Sequence, residues 1–317
     1  MKKTAAILIS LALLMLSACA DNAPTRASGF AMDTEISVTV YGDSATAGRI
    51  LRSVCSLENK ISWSIDGSDT YILNQSGSVE SETLADIITA TRDLCNATDG
   101  QYSLAVRELC ALWDINSGEK IIPSDNDIAA VLSRTGGIPT VNKSTVALTD
   151  GSAIDLGSVG KGAACDIAAQ IFAEDSSVGI AAIGSSLALC GDKPNGEQWT
   201  VSVAQPDNIN QSAGTLYLDG GVFVSTSSDS QRGFERDGIR YHHIINAVSG
   251  YPVNSGLRSV TVIADSGVLS DALSTACFIV GYEKSLELLA EYNAQAVFIT
   301  DSGEVISTSG LTFEVAK

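Results

Sequence analysis

The chain has few basic residues and only two histidines. Its 317 residues include 19 lysines and arginines against 37 aspartates and glutamates, a formal net charge of −18 at pH 7. Lysine and arginine form no cluster, so the sequence argues against a nucleic-acid partner. It also has no CxxC pair and no cysteine–histidine cluster with zinc spacing, which argues against a structural zinc site. An anionic ligand would therefore need a metal ion or backbone N–H groups to offset the acidic charge.

Long apolar runs are equally scarce, and the one present lies at the N-terminus. Two lysines precede the apolar run 5–16, which is followed by Ser17, Ala18 and Cys19. This run is shorter than the about 20 residues of a membrane-spanning helix, so we interpret residues 1–18 as a secretory signal peptide. Cys19 resembles the cysteine of a bacterial lipobox, and the alternative is an ordinary signal peptide with an incidental cysteine. We expect an exported bacterial lipoprotein, anchored through Cys19 to the outer face of the cytoplasmic membrane.

The mature chain is predicted to be a short tether followed by one large domain. Residues 19–29 are small and polar, which favours a flexible, lipid-anchored tether. Residues 30–317 contain no Pro/Ser-rich break, charge run or repeat. Loss of Lys2 and Lys3 with the signal peptide leaves 17 basic against 37 acidic residues, a formal charge of −20. Most cysteines of the domain lie in apolar, helix-like stretches, which predicts free thiols.

Strand and helix patterns alternate irregularly along the domain. Neighbouring strand patterns are joined by short turns, which predicts an α+β (mixed α/β) fold, a single domain of mixed sheets with flanking helices. Strands are predicted over residues 35–41, 144–149, 178–183, 186–190, 199–204, 214–218, 258–264 and 296–300. Helices are predicted over residues 45–61, 81–97, 162–173, 269–280 and 283–292.

A glycine-rich stretch, 154–162, runs from an apolar strand end through three glycines into a helix. Backbone N–H groups at such a turn can face an anion. The stretch is neither a Walker loop, since Asp155 and Gly162 stand where that motif needs Gly and Ser or Thr, nor a GxGxxG motif. A plain strand-to-helix turn, with glycines for close packing, is the alternative.

Two further stretches carry candidate functional side chains. His242 and His243 are adjacent in a strand-like setting, so they face opposite ways and at most one enters a given site. Either can be a general base near neutral pH or a structural histidine. Asp271 and Thr275 are four residues apart on a predicted helix, so their oxygens share one face and suit Mg²⁺. Alternatively, Asp271 complements the positive start of its own helix.

Seven segments, in order over nearly the whole mature chain, carry a resemblance to a known family. They are Met32-Asp33-Thr34 with Tyr41-Gly42; Ser62-Trp63 with Ser68 and Asn74; Gly100 to Leu104 with Leu112-Trp113; Asp155-Leu156-Gly157 with Lys161-Gly162; Ser225-Thr226-Ser227 with Phe234-Glu235-Arg236; His242 to Ile245 with Ser249 to Pro252; and Ser259 to Val262 with Asp271 to Thr275. Together these segments resemble the ApbE-like family of FAD:protein FMN transferases.

The resemblance implies the following site. His243 and Asp271 take the catalytic positions. The metal ligands are the backbone oxygen of Ser158, the carboxylate of Asp271 and the hydroxyls of Thr275 and Ser274. The FAD contacts that the resemblance implies are Met32, Trp63, Tyr102, Ser103, Leu104, Asp155, Lys161 and Ile245.

The implied reaction is a Mg²⁺-dependent transfer of FMN from FAD to a Thr or Ser hydroxyl of an exported acceptor protein, with release of AMP. The alternatives are Mg²⁺-dependent hydrolysis of FAD to FMN and AMP, and a non-catalytic flavin-binding lipoprotein. The chain departs from the family at five places. Asp33 and Ser228 stand where the family has Gly, Ser103 stands where it has Asp, and Ala105 stands where it has Thr. Asn246-Ala247 stands where the family has Asp-Pro. We expect the missing carboxylate at position 246 to weaken the orientation or the basicity of His243.

Overall fold

The computed structural model describes residues 23–117, 119–149, 151–230 and 232–316. The predicted signal peptide and Cys19 lie outside the described residues. The helices of the described part are α1 (Ala45–Ile61), α2 (Asp69–Ser76), α3 (Glu82–Ala97), α4 (Arg107–Trp113), α5 (Asp125–Leu132), α6 (Gly160–Glu174), α7 (Gly267–Val280) and α8 (Tyr282–Glu291). None of them is long and apolar enough to cross a membrane.

The strands of the same part belong to four sheets. In chain order they are β1 (Thr25–Ala31), β2 (Thr34–Tyr41), β3 (Ser78–Glu80), β4 (Thr140–Asn142), β5 (Thr145–Ala147), β6 (Val178–Ile183), β7 (Ser186–Cys190), β8 (Trp199–Gln205), β9 (Asn208–Leu218), β10 (Val222–Ser228), β11 (Gly233–Arg236), β12 (Ile239–His242), β13 (Leu257–Ala264), β14 (Gln295–Thr300), β15 (Val305–Ser307) and β16 (Thr312–Val315).

The main sheet has eight strands in the order β1-β2-β6-β7-β10-β13-β14-β15. Every neighbouring pair in it is antiparallel. Smaller antiparallel sheets are formed by β16-β9-β8, by β3-β5-β4 and by the hairpin β11-β12. Helices cover one side of the main sheet, so the predicted α+β class is confirmed. The six cysteines of the described part are free thiols, as predicted.

Both faces of the main sheet are buried, and β14 shows how. Ala296 and Phe298 point into the larger core, which also contains buried residues of α1, α3, α6 and α7. Val297 and Ile299 point to the opposite face, where they pack with Trp199 and other residues of the β16-β9-β8 sheet. The chain therefore folds as three layers, helices on the main sheet and the main sheet on a small sheet. A strand buried on both faces has a continuous apolar sequence, as β14 does.

The predicted tether is too long. Residues 25–29 belong to β1, which pairs with β2 in a register that places Thr25 opposite Val40 and Gly29 opposite Ile36. β1 is an edge strand of mostly exposed residues, so backbone hydrogen bonds to β2, rather than an apolar face, hold it in the sheet. Such a strand has no period-2 apolar pattern that sequence reasoning can detect.

Helices α6 and α7 cap each other, and this contact positions the candidate site. The Asp166 carboxylate of α6 accepts hydrogen bonds from the backbone N–H groups of Gly267 (2.6 Å) and Val268 (2.9 Å) at the start of α7. In return, the Asp271 carboxylate of α7 accepts from the N–H of Gly162 (2.8 Å) at the start of α6. Carboxylates are favourable at both places because a helix N-terminus carries a partial positive charge.

This exchange requires glycine at the crossing point of the two helices. A Cβ atom on Gly162 would lie 2.1 Å from the carbonyl oxygen of Gly267, and one on Gly267 would lie 2.2 Å from the oxygen of Gly162. Both distances are far inside van der Waals contact, and the neighbouring atoms are backbone. The two glycines therefore allow the helices to approach closely enough for each carboxylate to reach the other helix.

We expect Gly162→Ala to lower the free energy of unfolding by about 1–3 kcal/mol, because the helices must separate to admit the methyl group. Gly48→Ala is the matched control. Gly48 also lies inside a helix, but the one atom within 4 Å of the position that its added methyl group would take is the flexible Nη1 of Arg52, so this change should stabilise the fold by about 0.5–1 kcal/mol. Urea denaturation followed by circular dichroism measures both. Equal effects of the two substitutions would contradict the close helix contact.

Candidate active site

The glycine-rich stretch and α7 meet at one place, as the resemblance implies. The stretch is not a strand end: residues 152–156 are extended without strand pairing, 157–159 turn, and α6 begins at Gly160. Asn74 holds the extended part, since its side chain bonds both the N–H (2.8 Å) and the carbonyl oxygen (2.9 Å) of Ile154. The turn is fixed by Asp155, whose carboxylate accepts from the N–H of Gly157 at 2.8 Å.

Asp271 is the buried charge of the site. Its side chain is 2 % exposed, and one carboxylate oxygen is 2.8 Å from the N–H of Gly162, while the other has only the hydroxyl of Ser186 at 3.4 Å. Within the described residues, no lysine or arginine nitrogen lies within 4 Å of this carboxylate. Burial raises the pKa of Asp271, and the charge of Lys161 opposes that shift. The second oxygen therefore has no strong partner among the described residues.

Hydroxyl groups of α7 and of the glycine-rich turn lie near the Asp271 backbone and Tyr102. The Ser274 hydroxyl is fully buried and donates to the Asp271 carbonyl oxygen at 2.9 Å. The Thr275 hydroxyl, on a half-buried residue, also bonds that carbonyl (3.3 Å) and lies 3.0 Å from the Ser227 hydroxyl. Across the turn, the Ser158 hydroxyl is 3.2 Å from the buried Tyr102 hydroxyl. Thr275 is thus better placed than Ser274 to contact a ligand from solvent.

These donors fit a hard cation that keeps most of its ligands from water or substrate. No group of three or more His, Cys, Asp or Glu side chains is gathered for a metal anywhere in the described residues. A closed site for zinc or calcium needs more protein ligands than this. Mg²⁺ binds through one or two carboxylates together with substrate phosphates and water, which matches one buried carboxylate beside hydroxyl and carbonyl oxygens.

The segment that carries Tyr102, Ser103 and Leu104 borders the same turn. The N–H of Asp155 donates to the Leu104 carbonyl oxygen at 2.8 Å. All three residues are buried, and the Ser103 hydroxyl accepts from the N–H of Ala105 at 3.0 Å. The serine therefore stabilises its own loop. Only the Tyr102 hydroxyl reaches the glycine-rich turn by a side-chain hydrogen bond.

The charges of three cations act on Asp155, and sequence reasoning identifies only one of them. Desolvation raises the pKa of Asp155, while its bond to Gly157 and the charges of Arg107, Arg232 and Lys161 oppose the shift. Lys161 is the predicted one, and its ammonium group lies 3.4 Å from the Gly157 carbonyl oxygen. Arg107 and Arg232 belong to other segments. In the sequence, the scarcity of basic residues is the one signal that could have drawn attention to them.

The remaining predicted FAD contacts, Met32, Trp63 and Ile245, belong to other segments of the chain. The N–H of Met32, a residue with φ of 55°, donates to the Glu58 carboxylate at 2.7 Å. Trp63 is 39 % exposed and lies beneath the guanidinium group of Arg107. Ile245 is buried in a satellite cluster with Leu109, Trp113 and Ile128. No hydrogen bond of the described residues joins Met32 or Ile245 to the turn.

The two histidines have different surroundings. They do not share a strand, because β12 ends at His242 and His243 follows it. His242 is buried, its Nε2 lies 2.8 Å from the Val253 carbonyl oxygen, and its Nδ1 accepts from the N–H of Ile244. His243 is half-buried, and its Nδ1 is 3.4 Å from the Arg232 carbonyl oxygen. Burial lowers the pKa of His243 to about 4, helped by the charges of Arg232 and Lys161. His243 is therefore the histidine within electrostatic reach of the turn.

Asn246 does not orient His243 in this geometry. Its side-chain oxygen accepts from the N–H groups of Val248 (2.9 Å) and Ser249 (3.1 Å), and its amide nitrogen donates to the Gln101 side chain at 2.9 Å. Position 246 thus builds a turn and joins it to the loop before Tyr102. No hydrogen bond of the described residues links it to His243, so the expected loss of orientation at the histidine is not supported by the structure.

Comparisons with known proteins identify the family of this chain. The model of the ApbE family matches residues 32–299. An FAD:protein FMN transferase of Treponema pallidum is 30 % identical over 237 residues, which cover 68 % of this chain and 65 % of that protein. One from Salmonella typhimurium is 27 % identical over 348 aligned positions, covering 97 % of this chain and 96 % of that protein.

Solved structures give the same result. The ApbE protein of Thermotoga maritima superimposes with a TM-score of 0.83 at 29 % identity, covering 90 % of this chain and 97 % of that one. The apo flavinyl transferase ApbE of Pseudomonas stutzeri gives 0.80 at 26 %, covering 90 % and 95 %. The family match extends from the start of the β1–β2 turn almost to the end of β14 and includes every predicted catalytic residue, metal ligand and FAD contact. The chain therefore belongs to the ApbE family.

Proposed function

We propose that this protein transfers the FMN part of FAD to a Thr or Ser hydroxyl of an acceptor protein, with Mg²⁺ as the required cation. Family membership supports this activity, as do relatives named FAD:protein FMN transferases. The observation that carries the proposal is the buried Asp271 carboxylate, which bonds the N–H of Gly162 at the glycine-rich turn through one oxygen and has no strong partner for the other. An acidic chain has little other means of holding a pyrophosphate.

In the proposed reaction the acceptor hydroxyl oxygen attacks the phosphorus on the FMN side of the pyrophosphate. An oxygen–phosphorus bond forms, the bond from that phosphorus to the bridging oxygen breaks, and AMP leaves with the bridging oxygen. The hydroxyl proton goes to Nε2 of His243. That nitrogen is the acceptor when Nδ1–H faces the Arg232 carbonyl oxygen, and a pKa of about 4 keeps the imidazole neutral at pH 7. Positioning does most of the catalysis in such transfers.

Mg²⁺ would be held by Asp271, by the Thr275 and Ser274 hydroxyls and by the Ser158 carbonyl oxygen. When bound, it supplies charge neutralisation and orientation to the phosphates. Of these donors, Asp271 carries the only charge, so it dominates the affinity for the ion. The same carboxylate caps α6, which ties the metal position to the start of the helix that carries Lys161.

We also propose that the protein is exported and anchored by a lipid on Cys19, with residues 1–18 removed. The support is the apolar run 5–16, its basic flank and the small residues before the cysteine. The acceptor is then an exported or membrane protein whose flavin-bearing segment lies on the same side of the membrane.

Asp271→Asn should lower the rate of Mg²⁺-dependent transfer by about a hundredfold or more, because the amide keeps the bond from Gly162 but loses the charge that holds the cation. Asp175→Asn is the matched control, since it removes a carboxylate at the opposite end of α6, where that group accepts bonds from Thr46 and Arg49, and should retain transfer. Purified variants are incubated with FAD, Mg²⁺ or a chelator, and candidate acceptors, followed by intact mass. FMN and AMP released with no adduct on any acceptor would favour hydrolysis instead, and equal activity of both variants would contradict the metal role.

His243→Gln should slow transfer by about a hundredfold with little change in stability. His242→Gln should instead lower the stability, because it removes bonds to Val253 and Ile244, and retain the rate per folded molecule. With only two histidines in the chain, imidazole proton resonances can be assigned from these variants. We expect His243 of the substrate-free protein to titrate at a pKa of about 4, so that its base form persists as the pH falls from 7 to about 5. A slow His242→Gln beside a normal His243→Gln would overturn the assignment, and an ordinary pKa of about 6.5 would contradict the burial of the His243 imidazole.

Cys19→Ala should release the protein from the membrane fraction, since the lipidated thiol is lost. Fractionation of cells expressing either form, with intact mass of the purified protein, measures this. Gly29→Ala, a change within β1, is the control that should leave fractionation unchanged. A Cys19→Ala product that stays in the membrane fraction and still carries a lipid-sized mass increase would rule out the anchor.

A further inference from the structure

Arg107 is held in an unusual position at the edge of the site. Its guanidinium carbon lies 3.4 Å from the centroid of the Trp63 ring. The tryptophan is 39 % exposed, and Arg107 itself is half-buried. A planar guanidinium stacked on an aromatic face is fixed in orientation while its N–H donors remain in the plane of the group. Trp63 therefore fixes the orientation of the Arg107 guanidinium group without engaging any of its N–H groups in a hydrogen bond.

The backbone places Arg107 beside Asp155. The N–H of Arg107 donates to the Ala153 carbonyl oxygen at 3.2 Å, and the N–H of Asp155 donates to the Leu104 carbonyl oxygen at 2.8 Å. These two bonds pair the segment 104–107 with the segment 153–155. The start of α4 is thereby fixed against the extended chain that leads into the glycine-rich turn.

The side chain of Arg107 makes no hydrogen bond and no ion pair with any of the described residues. By contrast, Arg49, Arg134, Arg240 and Arg258 each pair with at least one carboxylate. Asp155 is near enough for the charge of Arg107 to act on it, but the two groups are not within ion-pair distance. An arginine that is immobilised, half-buried and without an anionic partner has its five N–H donors available to a ligand.

The local charge at this place is opposite to that of the whole protein. The charges of Arg107, Arg232 and Lys161 all act on the one carboxylate of Asp155, in a chain of net charge −18. Such a group of cations attracts an anion against the field of the surrounding surface. Phosphate oxygens match the planar fork of a guanidinium and accept two parallel hydrogen bonds from it.

We propose that Arg107, positioned by Trp63, binds a phosphate group of FAD and makes this site select phosphorylated flavin over riboflavin. The inference deepens the proposed function, because it takes FAD as the substrate, and it adds to the site a residue outside the seven family-like segments. A purely structural stack, in which Arg107 only shields Trp63 from water, is the alternative that the experiment must separate.

The test measures binding rather than turnover. Dissociation constants of FAD, ADP and riboflavin are determined for the wild-type protein, Arg107→Gln and Arg107→Lys, using flavin fluorescence and competition, at low and at high salt. We expect Arg107→Gln to weaken FAD binding about tenfold or more, to weaken ADP binding as well, and to leave riboflavin unchanged. Its FAD affinity should also depend less on salt, since one charge contact is lost. Arg107→Lys should restore the salt dependence but only part of the affinity, because an ammonium lacks the planar fork.

Arg92→Gln is the matched control. Arg92 lies on the surface of α3, where it faces only the neighbouring Asp93 at 3.6 Å, so its loss should leave all three dissociation constants unchanged. An FAD dissociation constant of Arg107→Gln equal to that of the wild type would overturn the inference, and so would an equal loss for riboflavin and FAD. Neither outcome affects the transfer activity proposed above. Conversely, Arg107-dependent FAD binding without any transfer would overturn the function and leave this inference standing.

Discussion

The exchange of carboxylates between α6 and α7 is the interaction on which the site depends. Asp166 satisfies N–H groups at the start of α7, and Asp271 does the same for α6. Each helix therefore fixes the position of the other helix's first turn. The glycines at the crossing, Gly162 and Gly267, leave no room for side chains. Because the proposed metal ligand is itself one of the caps, the chemistry of the site and the packing of the core use the same atoms.

The two roles of the Asp271 carboxylate, as a helix cap and as the proposed metal ligand, bear on how so acidic a protein would hold an anionic substrate. Burial raises the pKa of Asp271, which is an energetic cost of keeping a carboxylate without a neighbouring cation. A bound cation relieves that cost, so binding of the ion and ionisation of the carboxylate favour each other. Around Asp155 the arrangement is reversed, with several cations near one carboxylate. In the proposed function, a metal ion would bind on the Asp271 side and phosphate oxygens on the Asp155 side.

Periodicity predicts the buried frame of the fold well and its edges poorly. β6 and β7 begin and end where the sequence pattern places them, because both are central strands with apolar faces. β1 escapes prediction because its bonds are made by the backbone and its side chains are mostly exposed. In the site, the family resemblance supplies Asp271 and Lys161, which α6 and α7 bring together. It does not supply Arg107, because a stack on Trp63 is a tertiary contact between distant segments, nor the turn-building role of Asn246.

The early start of β1 limits how far the domain can move from a membrane. If Cys19 carries the lipid, residues 19–24 alone separate the anchor from the main sheet, and even fully extended they cover only about 20 Å. That is less than the diameter of a domain of this size, roughly 40 Å or more. The start of β1, at Thr25, would then lie within about 20 Å of the bilayer surface. The distance of a flavin-bearing segment from the lipid surface would then help to decide which acceptor proteins the domain can reach.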